Sequence, residues 1–297
     1  MNKIYGFGNA MIDIEIKIEE KDLLEIDIEK GNMKHIDDGE LESLLNKYSN
    51  NIESRLPGGS IANSLYAANQ NGASIHFSCS VGDDDYGDYF ISSFENNENL
   101  ITYKRSKLPT GICLIFVTED GERTMASNLG ANLELRPEIL NLEKMSNSDF
   151  LIFDNFSLFS ESGLNTVIAA LREKQESKVC FGISDKTLID ENLKNLNWLS
   201  QNEVDLIYGN NNELSELRKK VAIKSKNILE SFGKKGAGFN GSLVPAPKIE
   251  VVNTNGAGDA LIGSFLAFKN RFDDKTALFK AVGYASRVCR VNGPRLI

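Results

Sequence analysis

Val251-Val252-Asn253-Thr254-Asn255-Gly256-Ala257-Gly258-Asp259-Ala260-Leu261-Ile262 is the stretch from which the rest of the chain is read. An apolar, β-like run ends at Val252 and a turn of small residues follows. A carboxylate then stands at the mouth of an apolar helix expected from Asp259 to about Phe268. Small residues let a backbone approach a ligand closely, and the first N–H groups of a helix have no intrahelical partner. Those groups and the helix dipole make a site for anions. Asp259 planted there repels a phosphate unless it takes a proton from the group attacking that phosphate. The arrangement points to phosphoryl transfer to a hydroxyl, with Asp259 as base. The competing reading is a simple cap, because Asp is favoured near helix starts. A lone Gly-x-Gly-Asp would favour the cap.

Working outward, strand-like runs alternate with helical patterns. Residues 3–8, 74–80, 149–154, 178–183 and 206–209 read as strands, and residues 61–71, 137–146 and 161–175 as helices. This alternation predicts a parallel sheet with helices on both faces, whose ligands bind beyond the C-terminal strand ends. The polar clusters after residues 8, 208 and 252 each follow an expected strand, so they can converge on one rim. One region departs from the pattern. Residues 12–18, Ile-Asp-Ile-Glu-Ile-Lys-Ile, alternate with period two and suit a strand wet on one face. Residues 111–118 and 123–126 read as a hairpin turning at Asp120-Gly121. These strands are expected to form a small sheet standing off the main one, able to close over a substrate and exclude water. No repeat, low-complexity tract or linker divides the chain.

At 297 residues, with 41% hydrophobic and 25% charged residues, the composition is that of an ordinary globular protein. The net charge is −9, and no basic stripe is long enough to track a nucleic-acid backbone. No signal peptide or long apolar span is visible, so a cytoplasmic protein without membrane partners is expected. Cys79, Cys113, Cys180 and Cys289 are far apart in apolar or strand-like contexts and read as buried free thiols. His35 and His76 have no ligand-spaced partners, which leaves a Ser-His-Asp hydrolase without support. Gly6-Phe7-Gly8 lacks the third glycine of a dinucleotide fingerprint, and no Gly-x-x-x-x-Gly-Lys-Ser/Thr occurs.

A second glycine element, Leu56-Pro57-Gly58-Gly59-Ser60-Ile61-Ala62-Asn63-Ser64, precedes a helix. Ser60 reads as its N-cap, Gly58 and Gly59 permit close approach, and Asn63 offers donor and acceptor one turn inside. Together the two elements resemble the two signatures of the PfkB (ribokinase-like) family of carbohydrate and nucleoside kinases. The first continues through Gly72-Ala73 to Val81-Gly82-Asp83-Asp84-Asp85-Tyr86-Gly87. Gly209-Asn210-Asn211-Asn212-Glu213 matches the family's Asn-x-x-Glu motif, and Ser231-Phe232-Gly233-Lys234-Lys235-Gly236-Ala237 resembles its nucleotide-side glycine loop. The resemblance runs from about residue 4 to the C-terminus.

The resemblance implies a ribokinase-like α/β fold, one kinase domain over residues 1–297, with a small β-sheet lid formed discontinuously from about residues 10–18 and 108–128. It implies Asp259 as general base and the amides of Gly256, Ala257 and Gly258 as the anion hole. Asn210, Ser231, Gly233 and Gly236 would serve ATP, and Glu213 would hold Mg²⁺ through water, as a hard hydrated ion prefers. Asp13, in Gly8-Asn9-Ala10-Met11-Ile12-Asp13, matches the carboxylate that accepts sugar hydroxyls. Asn9, Gly58, Gly59 and Asn63 would complete the acceptor site. Arg123 stands where relatives place a phosphate-facing arginine, and a solvated hairpin charge is the equal alternative. Two departures stand out. Asn253-Thr254 replaces the usual Asp-Thr, which puts activation by a monovalent cation such as potassium in doubt, and Glu230 is an unusual acid beside a nucleotide loop.

The layout is similar to the adenosine-kinase-like branch, through Gly8 to Asp13, Thr110-Gly111-Ile112-Cys113 and Asn253 to Gly256. Phosphorylation of a primary hydroxyl of a nucleoside or sugar by ATP is therefore expected, with adenosine as the first acceptor to test. Phe116, Phe153, Phe156 and Phe159 either supply an apolar slot for a base or pack in core and lid. A ribokinase- or fructokinase-type sugar kinase and an inactive nucleoside-binding protein remain as alternatives. A monomer and a two-fold dimer through the small sheet are both expected assemblies.

Overall fold

The computed structural model describes residues 1–94 and 100–296. In chain order the strands are β1 (Lys3–Phe7), β2 (Met11–Lys17), β3 (Met33–His35), β4 (Ile52–Gly58), β5 (Ser74–Gly82), β6 (Ile101–Ser106), β7 (Gly111–Val117), β8 (Arg123–Asn128), β9 (Phe150–Asp154), β10 (Lys178–Gly182), β11 (Val204–Asn210), β12 (Ser225–Ser231), β13 (Ala237–Phe239) and β14 (Ser242–Val244). The helices are α1 (Asp22–Ile26), α2 (Asp38–Lys47), α3 (Ser60–Gln70), α4 (Asp85–Ser92), α5 (Leu142–Ser146), α6 (Glu161–Glu173), α7 (Leu188–Glu191), α8 (Leu193–Leu199), α9 (Asn211–Lys220), α10 (Ala257–Phe268) and α11 (Asp274–Val288).

The larger sheet has the order β14-β13-β12-β11-β10-β9-β1-β5-β6. It is parallel from β12 to β6, and β13 and β14 add an antiparallel edge. The period of two along each strand divides the core. Ile4, Ile152, Cys180, Leu206 and Tyr208 pack on one face with Ile61 and Leu65 of α3 and Leu261 and Phe265 of α10. Phe7, Leu151, Phe153, Phe181 and Ile207 pack on the other with Val167 of α6, Leu196 of α8 and Leu214 of α9. Both faces are covered, as a parallel sheet requires. The strands expected at 3–8, 74–80, 149–154, 178–183 and 206–209 are β1, β5, β9, β10 and β11.

α10 is buried from Ala260 through Ala267. A helix apolar on all sides belongs inside, and α10 lies between α3 and α11. A Cβ at Gly263 would come within 1.9 Å of the Ser64 carbonyl oxygen, so the missing side chain lets α3 and α10 meet backbone to backbone.

The smaller sheet has the order β3-β8-β7-β2-β4. β2 joins β7 in parallel, and the β7–β8 hairpin forms as expected around Asp120-Gly121. Ile12, Ile14, Ile16, Leu114 and Phe116 fill its covered side with the first core. Met11, Cys113 and Ile115 form a separate cluster on the opposite side, with Val117 and Met125 against it.

Four expectations are corrected. Residues 137–146 are two pieces, a 3₁₀ turn at Pro137–Ile139 and the short α5, because Leu140 is extended and Asn141 caps a new start. Val251 and Val252 are not a strand: both are 56% exposed and lie in irregular chain before α10. Ser60 is not the N-cap of α3, since Gly59 occupies that position at φ +93° and Ser60 is the first helical residue. The polar face of β2 is wet only in part: Lys17 is exposed, whereas Asp13 and Glu15 are half-buried and accept hydrogen bonds from Asn255 and Asn253.

Candidate active site

Strands β1, β9, β10, β11 and β12 end on one rim, and residues at or just past those ends line a cavity of ≈ 330 Å³ between the two sheets. Asn9, Asp154, Ser184, Asp185, Asn210 and Ser231 come from the rim. Asn255, Gly256, Gly258 and Asp259 come from the turn into α10. Residues 13, 63 and 259, distant in sequence, therefore share one cavity.

Asp259 is the third residue of α10, which has no side-chain cap; Gly256 holds the N-cap position in a left-handed conformation, φ +73°. The capping reading of Asp259 is thus set aside. Its Oδ2 accepts from Asn63 Nδ2 at 3.1 Å, across the close α3–α10 contact. Burial raises its pKa to about 7 despite that hydrogen bond, with Asp154, Asp13 and Glu213 adding to the rise. The Ala257 N–H donates to the Thr254 carbonyl at 3.2 Å, whereas Gly258 and Asp259 carry first-turn N–H groups that no intrahelical carbonyl can reach. A Cβ at Gly258 would meet nothing within 4 Å, so this turn faces open space.

Asp13 on β2 accepts from Asn255 Nδ2 at 3.2 Å, and burial raises its pKa to about 6. The two glycines of the first element serve the protein itself. A Cβ at Gly58 would lie 2.2–2.5 Å from the Asp13 carboxylate, and one at Gly59 would lie 2.3 Å from the Asn9 carbonyl oxygen. They admit the site's own groups, and Gly59 but not Gly58 lines the cavity.

Asn210 and Glu213 form a reciprocal capping box on α9. Asn210 N–H donates to Glu213 Oε2 at 2.8 Å, and Asn210 Nδ2 to Oε1 at 2.6 Å. Burial still raises Glu213 to about 7. Both residues line the cavity. Ser231, at the end of β12, lines it too, but Gly233 and Gly236 do not. Gly236, at φ +107°, is demanded by the β13–β14 hairpin, where a Cβ would meet the Val244 carbonyl oxygen at 2.0 Å. Glu230 is held by Asn211 Nδ2 at 2.8 Å and Arg218 at 3.3 Å, which offsets its charge. Arg123 does not line the cavity. It is half-buried and donates from Nη1 to Thr254 Oγ1 at 2.9 Å, tying the hairpin to the turn before α10. That contact sets aside the free, solvated charge.

Several lining residues escaped the sequence reading. Asp154 is buried, its pKa is raised to about 7 by desolvation, and its Oδ1 has no partner. An acid closing an apolar run at the C-terminal end of a parallel strand was the available clue. Met11, Met33, Ile115, Cys113, Met125 and Leu129 make the apolar wall. Of the phenylalanines, Phe156 alone lines the cavity. Phe116 and Phe153 are fully buried core, and Phe159 packs on His35 at 4.6 Å. Arg295, 5% exposed, donates from Nε to Asn63 Oδ1 at 2.9 Å. The four cysteines are free, three of them buried and Cys289 partly exposed.

Among the described residues no group of three or more His, Cys, Asp or Glu side chains is placed to hold a metal. Glu213 and Asp185 are the cavity-lining acids near the Asn-x-x-Glu turn. Such a set fits an ion that keeps its waters and takes most ligands from phosphates, the habit of Mg²⁺, and does not fit an all-protein cage. Among the described residues no helix is long and apolar enough to cross a membrane.

An electropositive helix start and a buried acid, facing polar side chains at the C-terminal rim of a parallel sheet, fit a small-molecule phosphotransferase. Residues 46–296 match the pfkB family carbohydrate kinases, and the chain belongs to that family. It is 24% identical over 263 aligned positions to the aminoimidazole riboside kinase of Salmonella typhimurium, covering 78% of this chain and 80% of that protein. It is 24% identical over 324 aligned positions to adenosine kinase 2 of Arabidopsis thaliana, covering 96% and 92%. A probable sugar kinase from Rhizobium etli superimposes with a TM-score of 0.91 at 24% identity, over 99% of this chain and 94% of that one, and shows the shared ribokinase-like fold. Fructokinases and a ribokinase are relatives at similar identity. The family implies ATP as phosphoryl donor.

Proposed function

We propose that this protein transfers the γ-phosphoryl group of ATP to the primary hydroxyl of a nucleoside, with adenosine as the first acceptor. The observation that carries the reading is the mixed lining of the cavity. The polar groups Asp13, Asn63, Asp154 and Asp259 line it together with the apolar side chains Met11, Ile115, Met125, Leu129 and Phe156. A ribose needs hydroxyl acceptors and a purine needs an apolar slot; a free sugar leaves the slot empty. The wide coverage of the plant adenosine kinase supports the same choice.

In this reading Asp13 and the unpartnered Oδ1 of Asp154 accept ribose hydroxyls, and Asn63 and Asn9 fix the ring. Asp259 Oδ takes the proton of the attacking hydroxyl, a step worth about 10²–10⁴ in rate. The N–H groups of Gly256 and Gly258 stabilise charge on the transferring group, since phosphoryl transfer depends mainly on alignment and electrostatics. Asn210 and Ser231 face the phosphate chain. Glu213 would hold a Mg²⁺ ion through water, and that ion would supply charge neutralisation at the phosphates. The small sheet acts as the lid, with Asn253–Glu15, Asn255–Asp13 and Thr254–Arg123 joining it to the α10 turn. A cytoplasmic enzyme of purine-nucleoside reuse fits this chemistry.

A panel of nucleosides and sugars with ATP and Mg²⁺, read by mass spectrometry, tests the proposal. Adenosine is expected to yield AMP. Turnover of ribose or fructose without adenosine overturns the acceptor, and calorimetric binding of adenosine without product overturns catalysis.

A further inference from the structure

The base and its amide partner are held by a residue from the far end of the chain. Gly293 turns at φ +85°, and Pro294 packs so closely on Gly256 that a Cβ there would lie 2.6 Å away. Arg295 then enters the interior at 5% exposure, its guanidinium 5.2 Å from the Tyr66 ring and 5.7 Å from the Phe94 ring. Tyr66 Oη donates to the Leu296 carbonyl at 2.9 Å and secures the tail. Arg295 Nη1 donates to Ser93 Oγ at 3.2 Å, and Nε donates to Asn63 Oδ1 at 2.9 Å. On its other side the same amide donates to Asp259.

We propose that Arg295 is a positioning residue for the phosphoryl-transfer reaction: it locks the Asn63 amide with oxygen toward the guanidinium and nitrogen toward the Asp259 carboxylate. The inference rests on the kinase reading and deepens it. A guanidinium has donors only, so the amide atom facing it must be the oxygen. The amide nitrogen is thereby committed to Asp259, where it stabilises the ionised acid, the form that accepts a proton. Without Arg295 the amide is free to turn its oxygen toward Asp259. Two facing oxygens need a proton between them, and the acid then takes one at higher pH.

The electrostatic setting makes this consequential. Asp259 is surrounded by Asp13 from β2, Asp154 from β9, Glu213 from α9 and Tyr208 from β11. Asn63 donates to it from α3. Arg295, in turn, is faced by Asp13, Asp259, Tyr66 and Tyr89. Burial lowers its pKa to about 10, so it stays charged at neutral pH. Among the groups that perturb Arg295 and Asp259, it is the buried cation.

The test is an NMR titration of aspartate carboxyl carbons in the full chain, with Asp259 assigned through Asp259→Asn. In the wild type, the Asn63 side-chain NH₂ resonances are expected to follow the Asp259 titration; if they do not, the proposal fails without any variant. In Arg295→Gln the Asp259 midpoint is expected to rise by about one unit, an approximately tenfold loss of the ionised base on its acid side. Arg295→Lys, which keeps the charge without the fork, should shift less and serves if the glutamine variant does not fold. The acid limb of kcat/KM is expected to move by the same amount while the alkaline plateau stays within about threefold, and guanidinium salt should reverse the shift in Arg295→Gly. A purely structural role would lower the plateau and leave the limb in place, which overturns the proposal, as does an unchanged midpoint in a folded variant. If the wild type phosphorylates nothing, the kinase reading fails, and the NMR arm still decides whether Arg295 holds Asn63.

Discussion

The polar and the apolar lining of the cavity are built by opposite rules. The polar lining, the floor, collects Asp13 from the small sheet and Asp154, Glu213 and Asp259 from the main body, where burial raises all four pKa values. Each is set beside amides at fixed positions on parallel strands or helix starts. The wall on the small sheet is methionine, isoleucine, leucine and cysteine, carried by strands whose other face belongs to the core. Methionine is flexible and adapts to irregular shapes. The floor demands one geometry, and the wall tolerates several. In a family whose relatives act on ribosides, adenosine and fructose, the reaction should therefore be written in the floor and the choice of acceptor in the wall.

The strongest way to break this division is Asp259→Asn. It should lower kcat by about 10² or more while leaving the fold and adenosine binding intact. Near-normal turnover would remove the base. In the wild type, kcat/KM should rise as pH increases through about 7, because Asp259 as the proposed base acts in its ionised form and burial has raised its pKa to about 7. Stability should move the other way. The unfolded chain loses the Asp259 proton near pH ~4, whereas the folded protein keeps it to about 7. The acid therefore costs stability as pH rises through that window. Asp259→Asn should gain in Tm over the wild type between those limits and show a constant difference above them.

Next in size is Gly263→Ala. Its methyl would strike the Ser64 carbonyl, so α3 and α10 must separate. A loss of about 1–3 kcal/mol in urea unfolding is expected, as for other overpacked cores. Weakened contact between Asn63 and Asp259 should lower kcat together with it, and an unchanged kcat would show that the floor is less rigid than described. Met125→Ala probes the wall. Removing an apolar contact of about 1–2 kcal/mol should raise KM for adenosine roughly tenfold, with kcat nearly unchanged. An equal effect on a free sugar would deny the wall its role in selection. The smallest effect is expected from Arg123→Gln, which loses the bond to Thr254. A change of a few fold in kcat/KM matches the loss of one solvent-exposed hydrogen bond, at the low end of about 0.5–1.5 kcal/mol. A loss as large as that of Asp259→Asn would mean that Arg123 touches the phosphates.

The floor was largely readable in the sequence and the wall was not. Asp13, Asn63 and Asp259 announce themselves because each is a polar residue beside a small-residue turn or within an apolar run. The parallel sheet followed from alternation alone. The wall is made of residues that any core contains, so Met11 or Met125 carries no local mark. The phenylalanines drew attention through size, yet three of the four pack away from the cavity. Val251 and Val252 misled because β-branched residues suggest strands wherever they fall, while tertiary context leaves them exposed. β4 was passed over because its buried end, Pro57-Gly58, reads as a turn. Arg295 stayed hidden because an arginine is ordinarily a surface residue.

Crowding four acids into one small chamber also has a calorimetric consequence. At neutral pH the empty chamber retains protons that water would have stripped away. A ligand that brings cations, or hydroxyls that prefer charged oxygens, should expel some of them. The heat of binding should then depend on the ionisation enthalpy of the buffer, and the slope would count the protons released.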